Sequence, residues 1–281
     1  MSSTIDNLPT VRFKFMPTPT GRLHVGHAWL LYVMRALGEA LDAQGRTSEL
    51  VLVIDDLNMP YVGRSLDGTR ETGEAIIEDM ERLGVPPNRV VWNGDFELND
   101  AQAKLQRESI VLQSWRPERG LSVGYFLRNA ALDSHLGITN IIRGDDLTVY
   151  KDLYEESYDK LGITPPILDY IPFVRQPSGE KIGSHCQEYV IQKVLSCMTL
   201  DEMICRLASQ GIQRNGDAAS PQNLASALLL LSRDTRWVKT LDQRGDAARQ
   251  LFLSRFAHAP QFQIVSSCAT QDGSDNSKVA R

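Results

Sequence analysis

The sequence predicts an α/β fold: a parallel sheet flanked by helices, with a small helical region after it. Three observations lead there. Short apolar runs that read as strands, at residues 11–15, 49–54 and 139–143, are separated by longer amphipathic runs that read as helices. Acidic pairs follow two of these strands, Asp55–Asp56 and Asp145–Asp146, and open α/β sheets bind ligands at the carboxyl ends of their strands. The chain has 281 residues, 42% of them apolar, which suits one large α/β domain with an appendage, or two domains.

The first strand opens residues 11–27, VRFKFMPTPTGRLHVGH. Val11, Phe13 and Phe15 alternate, and a turn follows at Pro17, Pro19 and Gly21. His24, Gly26 and His27 then open an amphipathic helix over residues 28–41. A helix N-terminus carries partial positive charge and free N–H groups, so it suits a phosphate. Two imidazoles three apart share a face. Either can donate a hydrogen bond to a phosphate oxygen as charge builds there during phosphoryl or nucleotidyl transfer. The spacing alone also fits ordinary helix-start residues. Two of the chain's five histidines stand here, however, directly behind a Pro/Gly turn that follows a strand.

Gly45 ends the first helix, and residues 49–54 (ELVLVI) read as a buried strand. Asp55 and Asp56 after it fit either a ligand-facing carboxylate or a turn with a capping Asp. Residues 66–84 read as a charged helix with Ile76, Ile77, Met80 and Leu83 inward, residues 85–92 as a loop and short strand, and residues 99–114 as a helix. Tyr125 and Asn129, four apart, share a helix face and fit either a binding pair or core and cap. Arg143 ends the strand at 139–143, where its fork suits a carboxylate by bidentate pairing. A helix over 149–161 ended by Gly162, an apolar strand over 170–175, a turn at 176–180 and the run KIGSH at 181–185 follow. Residues 200–211, 220–231 and 235–256 read as helices, with a polar joint at 215–220. Residues 1–10 read as a loose leader and 266–281 as a polar, disordered tail.

The net charge of −5 argues mildly against a nucleic-acid binder, since such proteins tend to show a basic face. Cys186, Cys197, Cys205 and Cys268 have no CxxC spacing, so neither a zinc site nor a disulfide framework is indicated. Reduced thiols and a cytoplasmic location are the expectation. There is no apolar run of membrane-spanning length, no signal peptide and no internal repeat.

The run KFMPTPTG at residues 14–21, leading into HVGH at 24–27, resembles the first signature of class I aminoacyl-tRNA synthetases. It is most similar to the glutamyl/glutaminyl branch, where R-F-A-P-S-P-T-G leads into H-I-G-H. Ile54-Asp55-Asp56 resembles that branch's I-E-D, one methylene shorter. Arg64 and Ser65 are similar to the lead-in of its second helix. Arg143-Gly144-Asp145-Asp146 resembles R-G-x-D, and KIGSH stands where K-M-S-K-S belongs. The likeness covers roughly residues 10–195. It implies a Rossmann-like class I synthetase domain over 11–195, a shortened helical region over 196–265 and a tail over 266–281.

The resemblance also implies roles. His24, His27 and Lys181 are the expected catalytic residues. Thr18, Gly26, Asp146, Lys181, Ser184 and His185 are expected around ATP, with Gly26 allowing close approach of adenosine. Lys14, Thr18, Asp55, Tyr125, Asn129 and Arg143 are expected around the amino acid, Asp55 taking its ammonium group. ATP and Mg2+ are the expected cofactors, and no protein metal site is expected.

Several departures shape the functional expectation. Lys14 replaces an arginine, a point charge for a fork. Ser184 replaces the second signature lysine, Gly183 the serine, and His185 is a pH-dependent stand-in. Only 37 residues lie between Pro87 and Tyr125, where the branch inserts a domain that grips the tRNA acceptor end. The cysteines that hold zinc in some members are missing, and no anticodon-binding domain is expected in the remaining length. The expectation is an enzyme that activates an amino acid, glutamate or an analogue, and passes it to a small-molecule or carrier acceptor rather than tRNA. Two alternatives stand beside it: a truncated glutamyl-type synthetase acting on tRNA, and a non-catalytic amino-acid- or nucleotide-binding paralogue. No membrane partner is expected, and the oligomeric state stays open.

Overall fold

The computed structural model describes residues 10–42, 45–59, 67–111, 115–116, 121–211 and 259–264. Alternation builds the centre. Strand β1 (Val11–Phe15) turns Phe13 and Phe15 to one face, where helix α1 (Val25–Asp42) packs. Strand β2 (Ser48–Ile54) sends Leu52 and Ile54 to that face and Val51 and Val53 to the other. A strand apolar on both faces belongs inside a parallel sheet covered on both sides. Helix α2 (Thr69–Arg82) covers the first face through Ile76 and Met80, and strand β3 (Arg89–Trp92) pairs with β2.

Helix α3 (Asp100–Val111) and a two-stranded antiparallel ribbon, β4 (Trp115–Arg116) with β5 (Leu121–Ser122), lead into helix α4 (Val123–Leu136). Strand β6 (Asn140–Gly144) follows, then a 3₁₀ stretch, Asp145–Tyr150, helix α5 (Lys151–Leu161) and strand β7 (Ile167–Ile171). Helices α4 and α5 cover the second face with Phe126, Leu127, Leu153, Tyr154 and Tyr158. Helices α6 (Ile191–Cys197) and α7 (Leu200–Gly211) return to the first face, where Met203, Leu207 and Phe262 join the α1 core.

The five strands are all parallel, in the order β3-β2-β1-β6-β7. The chain starts at the centre, builds outward to β3, then crosses back to β6. The crevice between β1 and β6 is therefore the switch point where such sheets bind ligands.

The expected elements form with shifted ends, and one strand differs in place. The apolar run at 170–175 was expected as a strand, but β7 begins at Ile167 and ends at Ile171. Pro172 stops it, because proline brings no N–H to the ladder; the Pro172 carbonyl instead accepts from Trp29 Nε1 at 3.2 Å. The expected helices at 220–231 and 235–256, the leader, the tail, Arg64 and Ser65 lie outside the described residues. The expectation of reduced thiols needs correction at one position: Cys197 is disulfide-bonded, whereas Cys186 and Cys205 keep their thiols. Among the described residues no helix is long and apolar enough to cross a membrane.

Candidate active site

Two adjoining cavities open at the carboxyl ends of β1, β2 and β6. The larger, about 480 Å³, reaches from His24 and His27 to the KIGSH segment. The smaller, about 230 Å³, runs past Lys14, Asp55, Tyr125 and Arg143. Pro17, Thr18, His27 and Gly144 line both. Buried polar ties hold this wall in place. The fully buried Asp79 carboxylate of α2 accepts the Leu23 N–H at 3.0 Å and pairs with Arg22. The Asp55 N–H donates to the Pro17 carbonyl at 3.0 Å, and the Ile191 N–H to the Leu23 carbonyl at 2.8 Å.

The two imidazoles stack, ring centroids 3.9 Å apart. Their bonds fix the tautomers. The Gly26 N–H donates to His24 Nδ1 at 3.1 Å, and the His24 N–H donates to His27 Nδ1 at 3.3 Å. With both Nδ1 atoms accepting, the ring protons sit on Nε2. The rings thus take up two N–H groups at the start of α1. A side chain at Gly26 would put its Cβ 2.9 Å from His24 Cε1, so only glycine lets that ring fold back over the turn. Burial pushes His24 down to about 2, helped by the charges of His27 and Lys181; burial and Lys181 push His27 down to about 4. Both rings are neutral at pH 7.

This has a consequence for stability. Above pH 6.5 the rings are neutral folded and unfolded alike. Below it the unfolded chain takes up protons that the folded chain refuses, so stability falls as pH drops from 6.5 toward 4. The expected loss between pH 7 and pH 5 is roughly 2 kcal/mol or more. Urea unfolding at the two pH values measures it, and a His24→Gln variant should lose part of the pH dependence.

The KIGSH segment forms the far wall. Arg175 and Lys181 pair as an antiparallel bridge, the Ile182 N–H donates to the Val174 carbonyl at 3.2 Å, and Ile182 is buried. Lys181 lines the larger cavity with Gly183, Ser184 and His185. Its ammonium is ion-paired with Asp146 and lies 5.5 Å from the Phe173 ring centre. A Cβ on Gly144 would lie 2.4 Å from Asp146 Oδ1, so glycine makes room for that carboxylate.

Around the smaller cavity the expected residues divide. Asp55 is 2% exposed. Its Oδ2 accepts the Tyr125 hydroxyl, and its Oδ1 accepts Asn93 Nδ2 at 3.0 Å. Burial pushes the Asp55 carboxyl up, against the pull of Tyr125, Asn93 and Lys14; burial and Asp55 together hold the Tyr125 hydroxyl protonated. The Arg143 guanidinium lies 4.1 Å from the Tyr154 ring centre and donates to its hydroxyl. Burial opposes its charge, yet Tyr154, Tyr125 and Asp133 hold it above its ordinary value. No carboxylate pairs with Arg143 among the described residues.

Two of the expected residues stand apart from the others. Lys14 lines the cavity wall, but its ammonium is fully buried and ion-paired with Asp133, whose other oxygen accepts the Tyr158 hydroxyl at 2.6 Å. Its charge is spent inside the fold, on the α4–α5 side of the sheet. Asn129 does not line either cavity. It is 1% exposed and accepts from Asn93 Nδ2 at 3.2 Å, behind Asp55. The remaining site residues, Thr18, His24, Gly26, His27, Asp55, Tyr125, Arg143, Asp146, Lys181, Ser184 and His185, all line the cavities. Among the described residues no group of three or more His, Cys, Asp or Glu side chains is placed to hold a metal ion.

Sequence reasoning missed Asn93, Arg128 and Asp133. A signal existed for the first: Asn93 and Gly94 follow β3 directly, at the same sheet edge as Asp55. Asp133 carried none, because only the packing of α4 across β1 brings it to Lys14.

No protein-family model matches the chain. It is 32% identical over 113 residues to a glutamate–tRNA ligase of a Bradyrhizobium species, covering 40% of this chain and 20% of that protein. It is 25% identical over 229 residues to the glutamate–tRNA ligase of Methylacidiphilum infernorum, covering 64% of this chain and 50% of that one. The chain thus spans between a fifth and a half of the length of these relatives. Among solved structures it resembles the tyrosyl-tRNA synthetase of Archaeoglobus fulgidus complexed with L-tyrosine, with a TM-score of 0.52, 18% identity and coverage of 89% of this chain and 90% of that one. Over part of its length the chain is therefore similar in sequence to glutamate–tRNA ligases, and its parallel sheet flanked by helices is the fold seen in class I aminoacyl-tRNA synthetases.

Proposed function

We propose that this protein activates an amino acid with ATP, forming an aminoacyl adenylate, and hands the acyl group to an acceptor other than tRNA. The observation that carries the reading is the joining of the two cavities at Thr18 and His27. One is lined by His24, His27 and Lys181, the other by Asp55 and by Arg143, which pairs with no carboxylate among the described residues. The amino acid places its ammonium at Asp55, and Arg143 takes an anionic side chain, glutamate or an analogue. A carboxylate oxygen attacks the α-phosphorus at the junction. The bond from that phosphorus to the bridging oxygen of the β-phosphate breaks, and pyrophosphate leaves toward Lys181. The Nε2–H groups of His24 and His27 stabilise the charge that builds on the phosphate oxygens. A nucleophile on the acceptor then displaces AMP.

The short stretch between Pro87 and Tyr125 and the net charge of −5 support a non-RNA acceptor. A tRNA acceptor is the second reading, favoured by the glutamate–tRNA ligase names of the relatives.

Amino-acid-dependent exchange of labelled pyrophosphate into ATP, run without and with tRNA, tests both. Exchange without tRNA and no label on RNA supports the first reading. Label on RNA supports the second. No exchange with any amino acid, alongside nucleotide binding, makes the protein a non-catalytic paralogue. Restoring the second signature cation, Ser184→Lys, is expected to speed adenylation by about tenfold through added charge stabilisation at the phosphates. An unchanged rate in single-turnover measurements would show that this segment does not close on ATP.

A further inference from the structure

We propose that Asn93, locked by Arg128, is a positioning residue that holds Asp55 ready to receive the substrate's ammonium group. The inference rests on the amino-acid-activation reading above. Its geometry comes from the sheet. Ile54 and Trp92 are register partners in β2 and β3, so the residues that follow them, Asp55 and Asn93, emerge side by side. The two turns are tied once more by the Gly94 N–H, which donates to Asp56 Oδ1 at 2.7 Å. A Cβ on Gly94 would sit 2.7 Å from Asp56 Oδ2, so any side chain there would push the Asp56 carboxylate out of place.

Asn93 is fully buried, and an amide can face its neighbours either way round. Arg128, on α4, removes that freedom. Its Nε donates to Asn93 Oδ1 at 3.3 Å, and its Nη2 donates to the Asn93 backbone carbonyl at 2.6 Å. Arginine has donors only, so the amide oxygen must face it. The Nδ2 group is thereby turned toward Asp55 Oδ1, 3.0 Å away, and Asn129 Oδ1, 3.2 Å away. The Tyr125 hydroxyl holds the other Asp55 oxygen. Each oxygen thus keeps acceptor capacity, and the carboxylate plane is fixed at both ends.

An aspartate buried to this degree is costly as an anion unless hydrogen bonds hold it there. The charged and titratable groups facing Asp55 are Lys14 from β1, Asp56 from its own turn, and Tyr125 and Arg128 from α4. Of these cations, Lys14 is paired with Asp133 and Arg128 is directed to Asn93, Phe96 and their carbonyls. The Asn93 amide and the Tyr125 hydroxyl are the direct donors.

The test uses the full-length protein with Asn93→Leu and, as a milder change, Arg128→Met. Pyrophosphate exchange is expected to show the amino-acid KM raised at least about tenfold in Asn93→Leu, the loss of one hydrogen bond to a charged group, with the ATP KM within twofold. The acid limb of kcat/KM for the amino acid is expected to move to higher pH. Arg128→Met is expected to do the same to a smaller extent. Carbon-13 titration of the Asp55 carboxyl, assigned by its loss in Asp55→Asn, reads the same shift without turnover. If wild type exchanges no pyrophosphate, the activation reading fails while the titration still decides the role of Asn93. If the titration and the amino-acid KM are unmoved in folded Asn93→Leu, or if Asn93→Leu fails to fold and Arg128→Met leaves both unmoved, the inference is overturned.

Discussion

Replacing Asp133 by alanine is expected to cost about 3–5 kcal/mol of folding stability, because it strands the Lys14 ammonium in the dry interior without its anion. Both side chains of this pair are fully buried, so water cannot take the place of the lost carboxylate. The Tyr158 hydroxyl loses its acceptor as well. The double variant Lys14→Met with Asp133→Leu should recover most of that loss, since replacing a buried ion pair by apolar groups of similar size is often neutral. Urea unfolding of the single and double variants measures both. The double variant also decides what Lys14 does. With its ammonium spent on Asp133, removing the pair should leave the amino-acid KM within a few fold. A folded double variant that no longer binds the amino acid would mean that Lys14 reaches the substrate after all.

Turnover in His27→Ala is expected to fall about 100-fold or more, the cost of removing one aimed donor from a charge-building oxygen, roughly 2.7 kcal/mol of barrier. A loss under about tenfold would remove this imidazole from the chemistry. The two ring nitrogens can be separated. His27 Nδ1 accepts the His24 N–H, so the free donor is Nε2. His27→Asn can keep the acceptor near the backbone, whereas His27→Gln extends a donor toward the Nε2 position. His27→Gln should therefore retain more turnover than His27→Asn, while His27→Asn should retain more stability. Because burial holds the ring down to about 4, the wild-type rate should show no inflection from it near pH 6.5.

The fold was readable in the sequence because its cues are local. The β1 alternation, the Pro17–Gly21 turn and the amphipathic α1 each follow from side chains within one or two turns of one another. Some cavity residues were readable for a related reason: His24 precedes α1, Asp55 follows β2 and Arg143 stands next to last in β6, at the edge where a parallel sheet places ligands. The end of β7 was misplaced because the apolar run continues through Pro172 and Phe173, and hydrophobicity alone does not report a missing ladder donor.

What the chain's order of residues determined by itself is the parallel α/β architecture and part of the set of side chains that meet at its carboxyl edge. Tertiary structure decided which of those charges are spent and which are left for a ligand. Lys14 is neutralised by Asp133 from α4, Lys181 by Asp146, and Asn129 is drawn behind Asp55 by Asn93, while Arg143 meets no described carboxylate. These pairings join residues as far as 119 positions apart. In a buried site, the free energy of a charge depends on its nearest partner and its distance from water, and neither is written in the local sequence.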